Sequence, residues 1–196
     1  MYYPMMMDLE NKKILVIGGG KVAYRKIKGL LETGAYIYVV GTVISPEIQA
    51  IKHQKLILIE RSFMPSDLEN KDIAFVCTNS RETNERIVDL AKAKGLLTSC
   101  VEQKVHADFI VPAVYRNGDL TVAVSTSGAN PTLAKNIRDE IARRYEGNYS
   151  ERVKLLKELR QSIIDTEAEG TRHLMLKELA ALDIEALRER RSKIED

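Results

Sequence analysis

Four consecutive apolar residues, Ile14 to Ile17, run directly into Gly18-Gly19-Gly20, after which Ala23, Ile27 and Leu30 follow at helical spacing. A short apolar run that turns on glycine into an amphipathic helix is the start of a strand-turn-helix unit, and few folds begin that way. Gly34 stands where the helix would stop. The pattern then repeats: Tyr36 to Val40, Leu56 to Ile59, Ile73 to Cys77 and Leu96 to Cys100 are further apolar runs. Between the last two, Arg81 to Lys94 has a helical pattern opened by Asn79, with Glu82 three residues on; this is the spacing of a capping box. Strands that are apolar on both faces and alternate with helices imply a parallel sheet covered on both sides. The fold class expected is therefore α/β, with a doubly wound parallel sheet.

Beyond Pro112 the rhythm changes. Two apolar runs, Phe109 to Tyr115 and Leu120 to Ser125, are joined by Arg116-Asn117-Gly118-Asp119, and Asn-Gly between such runs marks a hairpin. Ser127-Gly128-Ala129-Asn130-Pro131 leads into a helix carrying Leu133, Ile137 and Ile141, with Asn130 as its cap and Pro131 in its first turn. A hairpin and helix added to a parallel sheet leave an exposed strand edge, which pairing with a second copy would hide. From residue 146 onward 22 of 51 side chains are charged, 12 acidic and 10 basic. Within that stretch Leu156, Leu159 and Ile163, then Met175, Leu179, Leu182 and Ala186, recur at helical spacing. Two or more amphipathic helices are expected, broken near Glu169-Gly170, either as a plain bundle or as the wall of a ligand pocket. The divisions expected are 1–112, 113–146 for a hairpin-and-helix dimerisation segment, and 147–196 for a small helical domain.

Composition narrows the function classes. Thirty basic residues against 28 acidic ones give no general attraction to nucleic acid. No apolar run approaches the roughly 18 to 20 residues of a membrane span, and the start of the chain lacks the pattern of a signal peptide, so a cytoplasmic protein is expected. Cys77 and Cys100 are too few for a disulfide framework and too far apart for a CxxC site; both lie in apolar stretches and read as buried thiols.

The chemistry begins at the glycines. Gly18-Gly19-Gly20-Lys21-Val22-Ala23 reads G-x-G-x-x-A at the junction of strand and helix. In a Rossmann dinucleotide-binding domain the first glycine permits the tight turn and the second lets the backbone approach a pyrophosphate. The small third residue lets helix pack on strand, and the phosphates rest on free N–H groups at the helix start. The bland alternative is a structural glycine turn. The acid that ordinarily ends the second strand is missing, since Val39-Val40-Gly41-Thr42 stands there, and backbone at Thr42 and Val43 would have to hold the ribose. No arginine is present at that point for a 2′-phosphate, which favours NAD over NADP. Ligands of such sheets sit where the strand order reverses, between the first and fourth strands, placing Thr78 and Asn79 across from Gly18 and Gly20. The loop after the fifth strand opens on the same edge and carries Glu102, either a carboxylate aimed at the cleft or a solvated loop residue.

Several stretches together resemble the precorrin-2 dehydrogenase family, the dehydrogenase part of siroheme synthases: Tyr3-Pro4-Met5-Met6-Met7-Asp8-Leu9, KKILVIGGGKVAYRKIKGLLETGA, AFVCTNS and FIVPAVYRNGDLTVAVSTSGANPTLAKNIRDEI. The resemblance covers about residues 3 to 145 in order and extends more loosely into the helical tail. It implies oxidation of precorrin-2 to sirohydrochlorin with NAD as hydride acceptor, and in some members insertion of ferrous iron. Carried onto this chain, the nucleotide contacts fall on the glycine turn through Lys21 and Val22, on Thr42 and Val43, and near Thr78 and Asn79. The family's catalytic aspartate lies in an N-x-x-D pattern after the fifth strand; Ser99-Cys100-Val101-Glu102 stands in its place. The carboxylate is thus one methylene further out, which departs from the pattern and weakens a transfer of the iron-inserting role.

The resemblance also gives the remaining residues their roles. Glu102 is the candidate general base or charge-steering group. His106 is a candidate helper or iron contact, or simply a residue of a connecting loop, and one His with one Glu does not make a metal site. A polycarboxylate substrate calls for an anion site. Ser125, Thr126, Ser127 and Gly128 before a helix start can form one, with Arg116, Lys135 and Arg138 adding charge; otherwise these residues make a turn and a solvated helix face. The helical domain would face the tetrapyrrole. Where the family block often reads Ser-Pro, this chain has Asn130-Pro131. The expectations are an NAD-dependent precorrin-2 dehydrogenase of siroheme or cobalamin synthesis, a homodimer, supplied with substrate by a separate methyltransferase for which 196 residues leave no room. The alternatives are a bifunctional dehydrogenase and ferrochelatase, and a dinucleotide-sensing regulatory domain without catalysis.

Overall fold

The structure, a computed structural model, describes residues 2–101 and 106–195. The chain divides into two compact units, Met1–Val111 and Pro112–Asp196.

The first unit is built on β1 (Lys13–Ile17), α1 (Lys21–Leu30), β2 (Tyr36–Gly41), α2 (Pro46–Gln49), β3 (Leu56–Glu60), β4 (Ile73–Val76), α3 (Arg81–Ala93) and β5 (Leu97–Cys100). The five strands form one sheet in the order β3-β2-β1-β4-β5, with all neighbours parallel. That is the doubly wound arrangement, and its order reverses between β1 and β4. Period-two alternation of side chains explains how one apolar run serves both faces. Ile14 and Val16 join a cluster with Ala23 and Ile27 of α1, while Leu15 and Ile17 join another with Ile87, Val88 and Ala91 of α3. Helix α3 starts at Arg81 as expected, but its cap is Ser80 and not Asn79: the Ser80 Oγ accepts from the Thr83 N–H at 3.3 Å. The serine wins because it stands three residues before a free amide of the first turn. Of the two cysteines, Cys77 is buried and Cys100 only partly so.

The second unit pairs β6 (Ala113–Asn117) with β7 (Leu120–Val124) in an antiparallel hairpin, with Asn117 opposite Leu120 and Gly118 at φ 58 in the turn. Helix α4 (Pro131–Arg144) follows, capped by the Asn130 side chain, whose Oδ1 accepts from the Leu133 N–H at 2.9 Å. Three helices complete the chain: α5 (Tyr149–Thr166), α6 (Glu169–Ala181) and α7 (Ile184–Glu195). They close on Leu155, Leu159, Ile163, Leu179 and Leu187. The break lies at 167–168 and Gly170 is inside α6, slightly before the point expected. Leu187, not its neighbour Ala186, is the fully buried contribution of α7; the larger side chain removes more apolar area from water. No described helix is long and apolar enough to cross a membrane.

Candidate dinucleotide site

The turn after β1 is fixed on every side by backbone. Gly18 N–H donates to Val40 O at 2.7 Å, Ser45 N–H donates to Gly19 O at 2.9 Å, and Cys77 N–H donates to Ile17 O at 2.7 Å. Gly18 has φ +113, and a methyl added there would lie 2.4 Å from Cys77 O; one added to Gly19 would lie 2.1 Å from Val43 O. At Gly20 such a methyl meets nothing within 4 Å. The turn is therefore packed tightly behind and open in front, which is the shape a pyrophosphate needs for close approach to backbone. The helical ladder opens with Tyr24 N–H donating to Gly20 O at 3.0 Å, so the N–H groups of the first turn, at Lys21 to Ala23, have no intrahelical acceptor. Those amides and the positive end of α1 suit an anion. The residues present fit a dinucleotide.

Across the switch point, Thr78 follows β4 and is held by a residue that sequence reasoning did not single out. Asn84, 2% exposed on α3, accepts from the Thr78 N–H at 3.3 Å and from its hydroxyl at 2.6 Å, and its Nδ2 donates to Thr78 O at 3.2 Å. All of its side-chain polar atoms are thus spent on one neighbour, which offsets the cost of burying the amide. The signal was legible: an asparagine stands at a position that joins the apolar stripe of Ile87, Val88 and Ala91. Thr42 and Val43 follow β2 and are exposed, as is Asn79. The carboxyl ends of β1, β2 and β4 therefore bring Gly18, Gly20, Lys21, Val22, Thr42, Val43 and Thr78 to one edge of the sheet.

The end of β2 is crowded where the missing acid would stand. Gly41 faces the turn, and a Cβ there would sit 3.0 Å from Gly19 N. The strand alongside supplies a carboxylate instead: Glu60, in register with Gly41, accepts from the Ile44 N–H at 3.4 Å. Arg61 beside it is committed elsewhere, with Nη1 and Nη2 donating to the two Asp67 oxygens at 2.8 and 2.5 Å. That guanidinium holds Asp67 below its ordinary range, against the opposing effect of burial. Two further groups complete the environment. Burial pushes the Cys77 thiol up to about 12, so it is a packing residue without a thiolate. Burial also lowers Lys26, whose ammonium stands 6.0 Å from the centre of the Phe75 ring.

Glu102 lies outside the described residues. The chain just beyond that stretch is tied to β5: Asp108 accepts from the Thr98 N–H at 2.8 Å and the Thr98 hydroxyl at 2.7 Å, and Lys92 Nζ lies 3.3 Å from its other oxygen. Burial alone would raise Asp108, but the hydrogen bonds from Thr98 and Lys92 outweigh it and hold the carboxyl below its usual range. His106 is exposed and its carbonyl accepts from Lys92 Nζ. Among the described residues no group of three or more His, Cys, Asp or Glu gathers as a metal site.

The expected anion-binding residues all lie in the second unit. Ser125 to Gly128 connect β7 to α4, but much of their polarity is spent inside the loop. Ser127 N–H donates to Ser125 Oγ at 3.1 Å, Asn130 N–H donates to Thr126 Oγ1 at 3.0 Å, and the Thr126 hydroxyl donates to Asn130 O at 2.9 Å. Ser127 and Gly128 take positive φ, 53 and 88. Arg116 is on β6 and Lys135 on α4, both exposed. Arg138 pairs with its neighbour Asp139 at 2.5 Å.

A parallel sheet in this order, with an open glycine turn at its switch point, defines an NAD(P)-binding α/β protein. A family model for NAD(P)-binding domains matches residues 5–113, and one for the central domain of sirohaem biosynthesis proteins matches 117–144. The precorrin-2 dehydrogenase of Priestia megaterium is 32% identical over 159 residues, covering 81% of this chain and 78% of that one. A siroheme synthase of Psychromonas ingrahamii is 37% identical over 141 residues, 71% of this chain but 30% of that protein, so the chain spans about a third of such synthases. The solved structure of SirC, a precorrin-2 dehydrogenase, superposes with a TM-score of 0.81 at 30% identity over 99% of both chains. The chain belongs to the precorrin-2 dehydrogenase family.

Proposed function

We propose that this protein oxidises precorrin-2 to sirohydrochlorin with NAD, in the cytoplasm, as a step of siroheme or cobalamin synthesis. The observation that carries the reading is the glycine turn, closed behind by Cys77 and Val43 and open at Gly20, in a chain alike over 99% of its length to a precorrin-2 dehydrogenase. NAD, when bound, supplies the hydride acceptor. The chain's part is to bind, orient and move a proton. Amides at the start of α1 and the Lys21 side chain hold the pyrophosphate; Thr42 and Val43 flank the ribose; Thr78, braced by Asn84, and Asn79 line the far side of the crevice. Glu102 takes the proton lost from the macrocycle, and its reach is one methylene longer than the aspartate of the family pattern. Ser125 to Gly128 with Arg116, Lys135 and Arg138 receive substrate carboxylates, and the helices of 147–196 face the tetrapyrrole.

Segment 113–146 serves as the dimerisation element in this reading. A two-stranded hairpin is marginal alone, and β6 and β7 pair only with each other among the described strands. Beside them a concavity of about 460 Å³ is lined by Leu120, Val122, Glu140, Ile141, Arg144 and Tyr145, an apolar floor that a second copy would cover. The test is precorrin-2 plus NAD with the wild type and Glu102→Ala: NADH forms with the wild type and falls on the order of 100-fold or more with the variant. Absence of NADH from the wild type with NAD bound leaves the dinucleotide-sensing alternative; siroheme formed from sirohydrochlorin and Fe²⁺ above the spontaneous rate adds ferrochelation.

A further inference from the structure

We infer that Glu60 is the cofactor-selecting carboxylate of this protein, supplied by β3 in place of the acid that β2 lacks. The inference rests on the dinucleotide reading above and goes beyond it by assigning a residue and a preference. In dinucleotide-binding sheets an acid at the end of β2 accepts hydrogen bonds from the ribose hydroxyls and excludes a 2′-phosphate. Here that position is Gly41, and a Cβ on it would lie 3.0 Å from Gly19 N, so an acid there would press on the turn and shift its backbone by a few tenths of an ångström. Glu60 is the residue opposite Gly41 in the parallel register. Its Oε1 lies 3.4 Å from Ile44 N, which puts the carboxylate against the segment that continues from Thr42 and Val43. That same segment is joined to the turn, since Ser45 N–H donates to Gly19 O at 2.9 Å.

The carboxylate is exposed, and a contact of 3.4 Å to one amide is weak enough to exchange for a ligand hydroxyl. The cation next to it, Arg61, makes two hydrogen bonds to Asp67 and one to Ser62 O at 2.9 Å. It would have to abandon a bidentate ion pair to meet a phosphate. A 2′-phosphate at this edge would therefore face an anion while the guanidinium next along β3's exit is held by Asp67, and a free 2′-hydroxyl would find an acceptor.

The experiment is equilibrium binding of NADH and NADPH to the full chain, followed by cofactor fluorescence without substrate, for the wild type, Glu60→Gln and Glu60→Ala. The wild type binds NADH more tightly. Both variants narrow the ratio of the two dissociation constants by about tenfold or more, through weaker NADH and tighter NADPH, with the melting temperature unchanged in the absence of cofactor. A wild type that binds NADH and variants that keep its ratio overturn the role of Glu60. A wild type that binds neither nucleotide overturns the dinucleotide reading itself, and this inference with it.

Discussion

At the scale of single residues, the site is made by positions whose side chains are absent or fully committed. Gly18→Ala places a methyl 2.4 Å from a carbonyl oxygen at φ +113, so it destabilises the fold by about 1–3 kcal/mol or more, read as a lowered denaturation midpoint. Arg61 and Asp67 define a pH effect with a clear sign. Because the Asp67 carboxyl is held below its unfolded value by the guanidinium, its contribution is complete at pH above the ordinary aspartate range of about 3.9 and is lost as pH falls through the lower folded value. Wild type and Asp67→Asn should therefore differ in stability at neutral pH and converge in acid, as measured by urea titration at a series of pH values. The raised pKa of Cys77, about 12, predicts that an alkylating reagent at neutral pH leaves this thiol unmodified in the native protein and labels it on unfolding; peptide mapping by mass spectrometry distinguishes the two.

At the scale of elements, the strands and helices were legible because each rests on local chemistry. The four residues Ile14 to Ile17 are apolar at every position, three of them β-branched and the run stopped by glycine, which suits a strand buried on both faces. Asn130 and Pro131 announce the start of α4 equally plainly, and Asn130→Ala should cost about 1 kcal/mol, measurable by thermal unfolding. The edges were less legible. Asn79 and Ser80 are both good caps, and what separates them is a hydrogen bond to Thr83 that forms only once α3 has its register. The site divides in the same way. The glycine turn could be read because its spacing is local; Asn84 showed only as an amide within an apolar stripe, without its partner, and Glu60 showed nothing, because each acts through a residue in another element. Glu60 is near Ile44 only after β2 and β3 pair, and Asn84 reaches Thr78 only after α3 packs beneath β4.

At the scale of the whole molecule, each unit has its own buried clusters. The sheet of the first is covered on both faces, and the helices of the second close on Leu155, Leu159, Ile163, Leu179 and Leu187. Leu159→Ala removes a side chain only 2% exposed and should cost that unit about 2–5 kcal/mol. Hydrogen exchange should then show faster exchange across α5 to α7, with the amides of β1, β2 and β4 keeping their protection.

The backbone around the glycines ties the ends of three strands together, through Gly18 to Val40, Gly19 to Ser45 and Ile17 to Cys77. The residues that would grip a cofactor are thus also a knot in the scaffold. A lineage that ceased to use a dinucleotide would have as much reason to keep Gly18 and Gly19 as one that still did, because a side chain at either would collide with the backbone it is tied against. Persistence of this turn among descendants is in that sense a record of folding; the exposed positions Gly20 and Glu60, which the scaffold does not need, are where a change of ligand would be written.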